Sequence, residues 1–127
     1  KKRNTYISNI NSQIICNDLL SHGKFRTKNW EVPEVILNTK SILVKSNFLR
    51  GLYDSDGYAA KYRVEITLLS SAAIESISRL LNQLSIQHRI YKNRKYTTLG
   101  IYKKTDRLIF KKLIGFTIKR KMEKLRW

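Results

Sequence analysis

Apolar positions along the chain fall into two alternating periods. Val44, Phe48 and Leu52 recur every four residues with Leu49 beside them, which is one face of a helix. Beyond Gly57 the period drops to two: Val64, Ile66 and Leu68 alternate with Arg63, Glu65 and Thr67, the pattern of a strand with one buried face. Tyr58 to Lys61 supplies its hairpin partner. The helical period returns at Ile74, Ile77, Leu80, Leu81 and Leu84, behind a capping Ser70 or Ser71 and with Glu75 near the first turn. Ile86 to Lys92 and Tyr96 to Tyr102 predict a second hairpin around the basic turn Asn93-Arg94-Lys95. In it Ile86, His88 and Ile90 share one face and Gln87, Arg89 and Tyr91 the other, with Leu99 and Ile101 as core residues of the return strand. A last helix is expected to bury Leu108, Ile109, Leu113 and Ile114. Gly115-Phe116 breaks it, and Lys119 to Trp127 follow as a basic helix or tail.

Ahead of these elements, Lys1 to Asn11 is basic and then mixed, with Tyr6, Ile7 and Ile10 as anchors of a short strand. Ser12 is placed to cap a helix through Ile15, Leu19 and Leu20 that stops at Gly23. A basic loop follows, then an extended Trp30-Glu31-Val32-Pro33, since the residue before a proline avoids the helical region. Pro33 can start a turn of helix through Ile36 and Leu37.

Composition narrows the partners. The 127 residues, one domain's worth of chain, hold 26 Lys plus Arg against 9 Asp plus Glu, a formal charge of +17 spread along the sequence. Spread basicity on a folded domain is the footprint of a polyanion binder. No apolar run is long enough to span a bilayer, and no leader is visible, so membrane binding and secretion are not expected. The single Cys16 cannot form an internal disulfide and sits in an apolar helical pattern, which reads as an inert thiol in a reducing, intracellular compartment. With only that cysteine beside them, His22 and His88 make no metal site.

The candidate chemistry lies where the first apolar helix ends, in Phe48-Leu49-Arg50-Gly51-Leu52-Tyr53-Asp54-Ser55-Asp56-Gly57. A glycine inside a helix costs about 1 kcal/mol relative to alanine, so Gly51 is useful there only if another backbone comes very close. Asp54 and Asp56 stand at the helix tip, and Gly57 is read as the residue that lets the chain leave it. A helix face inviting a close partner, with an acidic pair at its tip, suggests a metal site built at an interface. An ordinary Asp-Ser-Asp-Gly turn is the competing reading of the last four residues. An EF-hand loop is excluded, because the ligand spacing and closing glutamate do not follow.

The stretch resembles the LAGLIDADG motif of homing endonucleases, Leu49 to Gly57 spanning its nine positions with Arg50, Tyr53 and Ser55 departing from the letters of the name. The resemblance implies an α+β fold: an αββαββα repeat whose four-stranded antiparallel sheet carries helices on one face and exposes a curved, cationic saddle on the other. It implies two motif helices packed side by side, in one chain or across a dimer, with Gly51 at their contact. It makes Asp56 the ligand of a divalent metal such as Mg2+ and Asp54 a structural residue. The basic residue near each site corresponds to Lys121 first and Lys119 second, after Ile114-Gly115-Phe116. Ser12 to Pro33 resembles the end of a preceding repeat, with Lys28 as that half's counterpart. On this reading residues 1–38 are the tail of one repeat and residues 39–127 a complete one.

Double-stranded DNA is the partner so implied. Contacts are expected from Arg63, Glu65, Thr67, Gln87, Arg89 and Tyr91 on the strands, and phosphate contacts from Lys92, Arg94 and Lys95 at the turn. The leading expectation is a site-specific, metal-dependent DNA endonuclease acting as a homodimer or with a separate first-repeat chain. The alternatives are an RNA maturase acting on intron RNA and a non-catalytic nucleic-acid-binding remnant. No splicing segments end the chain, so an intein is not expected.

Overall fold

The computed structural model describes residues 30–124. The strand and helix expected before Trp30, with Cys16, His22 and Lys28, lie outside these residues, as does Trp127.

Trp30 to Pro33 runs extended and leads into α1 (Glu34–Asn38). The long helix α2 (Ile42–Asp56) follows, capped by Ser41, whose hydroxyl accepts from Val44 N. Two hairpins and two further helices complete the repeat: β1 (Gly57–Ala60), β2 (Arg63–Leu68), α3 (Ser71–Gln83), β3 (Arg89–Lys92), β4 (Thr97–Ile101) and α4 (Lys104–Leu113). A last short helix, α5 (Lys119–Lys124), lies beyond the glycine break. The strands form one antiparallel sheet in the order β1-β2-β4-β3, the expected α+β architecture.

The sheet has one dry face and one wet one. Ala59, Val64, Ile66, Leu68, Leu99 and Ile101 point inward against Leu49, Leu52, Ile74, Ile77, Leu80 and Phe110 of the helices. Ser70, which caps α3, and Ser76 within it strap the entering chain to this core. Ser70 Oγ donates to Trp30 O at 2.7 Å and accepts from Ala73 N, and Ser76 Oγ accepts from Val32 N at 2.9 Å. Trp30, Val32, Ile36 and Leu37 are buried in the same cluster.

Three local expectations are corrected. The second hairpin starts at Arg89 rather than Ile86. Residues 84–88 instead close the end of α3: Ser85 takes a positive φ of 62°, Ile86 N donates to Leu81 O, and Gln87 N donates to Asp106 Oδ1. Ile86 is buried by this turn, while Ile90 is 38% exposed. In α4 the inward face is Asp106, Arg107, Phe110 and Ile114, leaving Leu108 exposed and Ile109 and Leu113 half-buried. Polar anchors set that rotation, since Asp106 holds Gln87 N and Arg107 Nε donates to Tyr102 O. Phe110 then meets Tyr53 edge-on at 4.9 Å between ring centroids. Gly57 is extended, with φ of −77°, so no left-handed freedom is at issue. A β-carbon there would collide with the Tyr53 backbone, and close approach is what requires the glycine.

Candidate nucleic-acid interface and acidic tip

The wet face of the sheet follows from strand alternation. Gly57↔Ile66 and Ala59↔Val64 are inward pairs, so Tyr58↔Glu65 and Ala60↔Arg63 lie on the outer side. Glu65↔Gly100, Thr67↔Thr98, Arg89↔Gly100 and Tyr91↔Thr98 continue that side across β4 and β3. Arg63, Glu65, Thr67, Arg89 and Tyr91 are therefore brought together on one surface. Gln87 precedes the ladder, and its side chain accepts from Lys103 Nζ at 3.4 Å. Lys92, Arg94 and Lys95 are exposed around the β3–β4 turn, which Asn93 N closes on Tyr96 O.

Several members of this surface are already engaged with one another. Thr67 and Thr98 share a hydroxyl hydrogen bond of 2.8 Å. Glu65 accepts from Tyr102 Oη at 2.7 Å on one oxygen and pairs with Arg63 Nε at 3.3 Å on the other. Burial, reinforced by the Glu65 hydrogen bond, pushes the Tyr102 phenol well above its ordinary range. Tyr102 lies across Gly100, where a β-carbon would overlap its Cζ–Oη end, and meets Tyr91 edge-on at 6.2 Å. Arg63 stacks over Tyr58, its guanidinium carbon 5.6 Å from the ring centroid. Tyr58, Thr98 and Tyr102 were missed in the sequence reading. Strand alternation could have found Tyr58 and Thr98, whereas Tyr102 lies just past β4 and reaches the face only because residue 100 has no side chain.

The acidic tip stands at the start of β1. Asp54 is half-buried, and its Oδ1 accepts from Thr117 N at 2.9 Å and Ile118 N at 3.4 Å, bracing the loop that opens α5. Asp56 is exposed beside it. Lys121 reaches back from α5 and donates to the carbonyls of Tyr53 at 3.2 Å and Asp54 at 2.7 Å, the open end of the α2 dipole. Burial lowers the Lys121 pKa from its ordinary 10.5, against the opposing attraction of Asp54 and, more weakly, Asp56. Lys119 instead faces Glu123 in an exposed pair at 3.8 Å. Arg50, one position before the helix glycine, donates to Ile114 O at 2.6 Å and so ties α2 to the end of α4. Gly51 is exposed, and a β-carbon there would touch nothing within 4 Å.

No three acidic, histidine or cysteine side chains converge on a metal site among the described residues. With the Asp54 carboxylate engaged by backbone N–H groups, Asp56 is the open carboxylate of the tip. One carboxylate suits a cation that keeps its waters and takes substrate phosphates, as Mg2+ does.

The LAGLIDADG-like domain model matches residues 43–115, from the first turn of α2 to the glycine after α4. The chain belongs to the LAGLIDADG-like domain family. Membership supports a nucleic-acid-related function. The full-length DUF199/WhiA structure from Thermatoga maritima shares the fold over 66% of this chain and 32% of its own, with a TM-score of 0.55 and 26% identity. Relatives in sequence carry unrelated names. A probable translation initiation factor IF-2 of Thermococcus kodakarensis is 35% identical over 79% of this chain, and the match spans 9% of that protein. A glutamine–fructose-6-phosphate aminotransferase of Methanocaldococcus jannaschii is 34% identical over 96% of this chain and 12% of its own length. A DNA polymerase of Thermococcus kodakarensis is 32% identical over 72% and 6%. The chain thus spans a small fraction of each relative. Among the described residues no helix is long and apolar enough to cross a membrane.

Proposed function

We propose that this chain is a metal-dependent DNA endonuclease module of the homing type, active when two α2 helices meet. The observation that carries the reading is Asp56, exposed at the tip of α2 where the chain enters β1 of the polar sheet. DNA lying along that face would bring a phosphodiester to the Asp56 carboxylate. Asp56 would hold a divalent cation, which when bound supplies an activated water and offsets charge on the leaving oxygen. Lys121 keeps positive charge near the tip by bonding to the Tyr53 and Asp54 carbonyls of α2. Arg89 and the turn cations Lys92, Arg94 and Lys95 are suited to phosphate contacts. A second copy, or a separate first repeat, completes the donor set through the Gly51 face.

The relatives favour a companion statement about setting. An initiation factor, an aminotransferase and a polymerase have no activity in common, and the shared segment is a small part of each. A segment of that kind is an inserted module, as an endonuclease carried within a host protein would be. This favours a mobile DNA-cutting element, an intein's nuclease part included, over an RNA maturase.

The test is end-mapping on a pool of randomised duplex DNA with Mg2+ or with EDTA. Wild-type protein should release defined ends only with Mg2+. Asp56→Asn should retain the pool on filters and release none, a loss of at least about a hundredfold. Metal-independent retention without ends from wild-type protein would leave a nucleic-acid binder and sink the nuclease.

A further inference from the structure

The wet face of the sheet carries a carboxylate, Glu65, at a place where phosphates should be repelled. Its two oxygens are both engaged, one by Tyr102 Oη at 2.7 Å and the other by Arg63 Nε at 3.3 Å. That arrangement leaves Glu65 poorly placed to accept from a cytosine amino group and restricts the Arg63 head. An arginine held at Nε still presents its two terminal nitrogens, the edge that matches guanine O6 and N7. Arg63 has no other hydrogen-bonding or ionic partner among the described residues, and its side chain is 48% exposed. Tyr58 supports the plane from below as a cation–π partner at 5.6 Å. The support reaches one step further back. Tyr102 can lie over β4 because Gly100 has no β-carbon, and Gly100 pairs with Glu65 across the ladder.

We propose that Arg63 is a guanine reader in the major groove, and that Tyr102 is the positioning residue that sets it, acting through Glu65. The proposal rests on DNA occupying the sheet face and adds the base and the residues that select it. Rigidity is the point of the arrangement. A free surface arginine loses rotamer entropy when it docks on a base and can settle instead on a neighbouring phosphate. An arginine paired at Nε and lying over Tyr58 has part of its rotamer freedom already restricted, so base contact rather than backbone contact is favoured.

The experiment is selection of randomised duplex DNA in Ca2+ buffer, which slows cutting, followed by sequencing of the bound pool. Wild-type protein should enrich guanine at one position of its site. Arg63→Met should erase a preference of roughly 5- to 100-fold there. Tyr102→Phe keeps the ring over Gly100 and removes only the hydroxyl. It should cut that preference by about three- to tenfold while changing retention of unselected DNA by less than about twofold. Glu65→Gln should act in the same direction, with thermal melting confirming the fold of each variant. Equal guanine enrichment in wild type and Tyr102→Phe overturns the positioning role, and an Arg63→Met pool that keeps the preference overturns the reader. Failure of wild-type protein to retain the pool even at low salt would overturn the DNA-binding reading along with the proposal.

Discussion

Tyr53 shows how one side chain can serve packing against its own chemistry. Its ring is fully buried, edge-on to Phe110 at 4.9 Å and to Phe116 at 6.3 Å, and its hydroxyl finds no hydrogen-bond partner. Burial pushes the phenol well above its ordinary 10. The sign follows from linkage: the unfolded chain ionises near pH 10 while the folded one holds its proton. The contribution is whole below pH 10 and is lost as pH climbs toward the folded value. Tyr53→Phe should therefore leave stability at pH 7 unchanged or raise it by up to about 1 kcal/mol, and should soften the alkaline decline. Urea melts at pH 7 and pH 10.5 check both; a loss above about 1 kcal/mol at pH 7 would mean the hydroxyl is bonded in solution. Little of this was legible beforehand. Tyr53 stands at a motif position where its letter departs from the family name, and Phe110 lay hidden among four aliphatic residues that the helical period fitted equally well. The rotation of α4 was decided by Asp106 and Arg107, whose partners are 19 and 5 residues away along the chain.

Between elements, the acidic tip works as a two-way cap. Asp54 of α2 accepts from the backbone leading into α5, and Lys121 of α5 donates to the last carbonyls of α2. Lys121 thereby reaches Asp54 O, a carbonyl at the open end of α2, and Asp54 holds the two N–H groups just ahead of α5. Asp54→Ala opens one side and loosens the other, since Lys121 sits on the strength of α5. A cost of about 1 to 2 kcal/mol is expected, visible as a lower urea midpoint with an unchanged slope. Lys121→Met should cost a comparable amount, because its two bonds to the α2 carbonyls are part-buried while those of Asp54 are exposed. The element scale is where the sequence was most readable. Alternation at Val64, Ile66 and Leu68 and the fourfold spacing of α2 and α3 each name a buried face, and the glycine break placed α5. The residues that failed are those at joints. Residues 86–88 look like strand by alternation, yet the turn out of α3 and the Asp106 anchor hold them, the first a local closure of the helix and the second a constraint from 19 residues on.

At the scale of the molecule, the puzzle is a helix that exposes its own weak point. Gly51 lies mid-helix on a face shared with Leu43, which is 47% exposed, and nothing stands within 4 Å of the β-carbon it lacks. No contact within the described residues needs that glycine. If a second motif helix docks here, close approach explains it, and the same docking brings a second Asp56 to the first. One substitution separates the two states. Gly51→Ala should raise monomer stability by about 1 kcal/mol through helix propensity alone. In the pair the added methyl wedges two backbones apart, and the dissociation constant should rise about tenfold or more, from an overpacking cost of 1 to 3 kcal/mol. Light scattering across a dilution series, beside urea melts at a concentration where the chain is monomeric, reads both signs from one protein. A variant that is more stable and pairs as well as wild type would place the partner on another surface and leave Asp56 as a lone carboxylate. A variant that melts higher yet associates more weakly, with metal-dependent ends lost in step with the pair, would tie cutting to the meeting of two α2 helices.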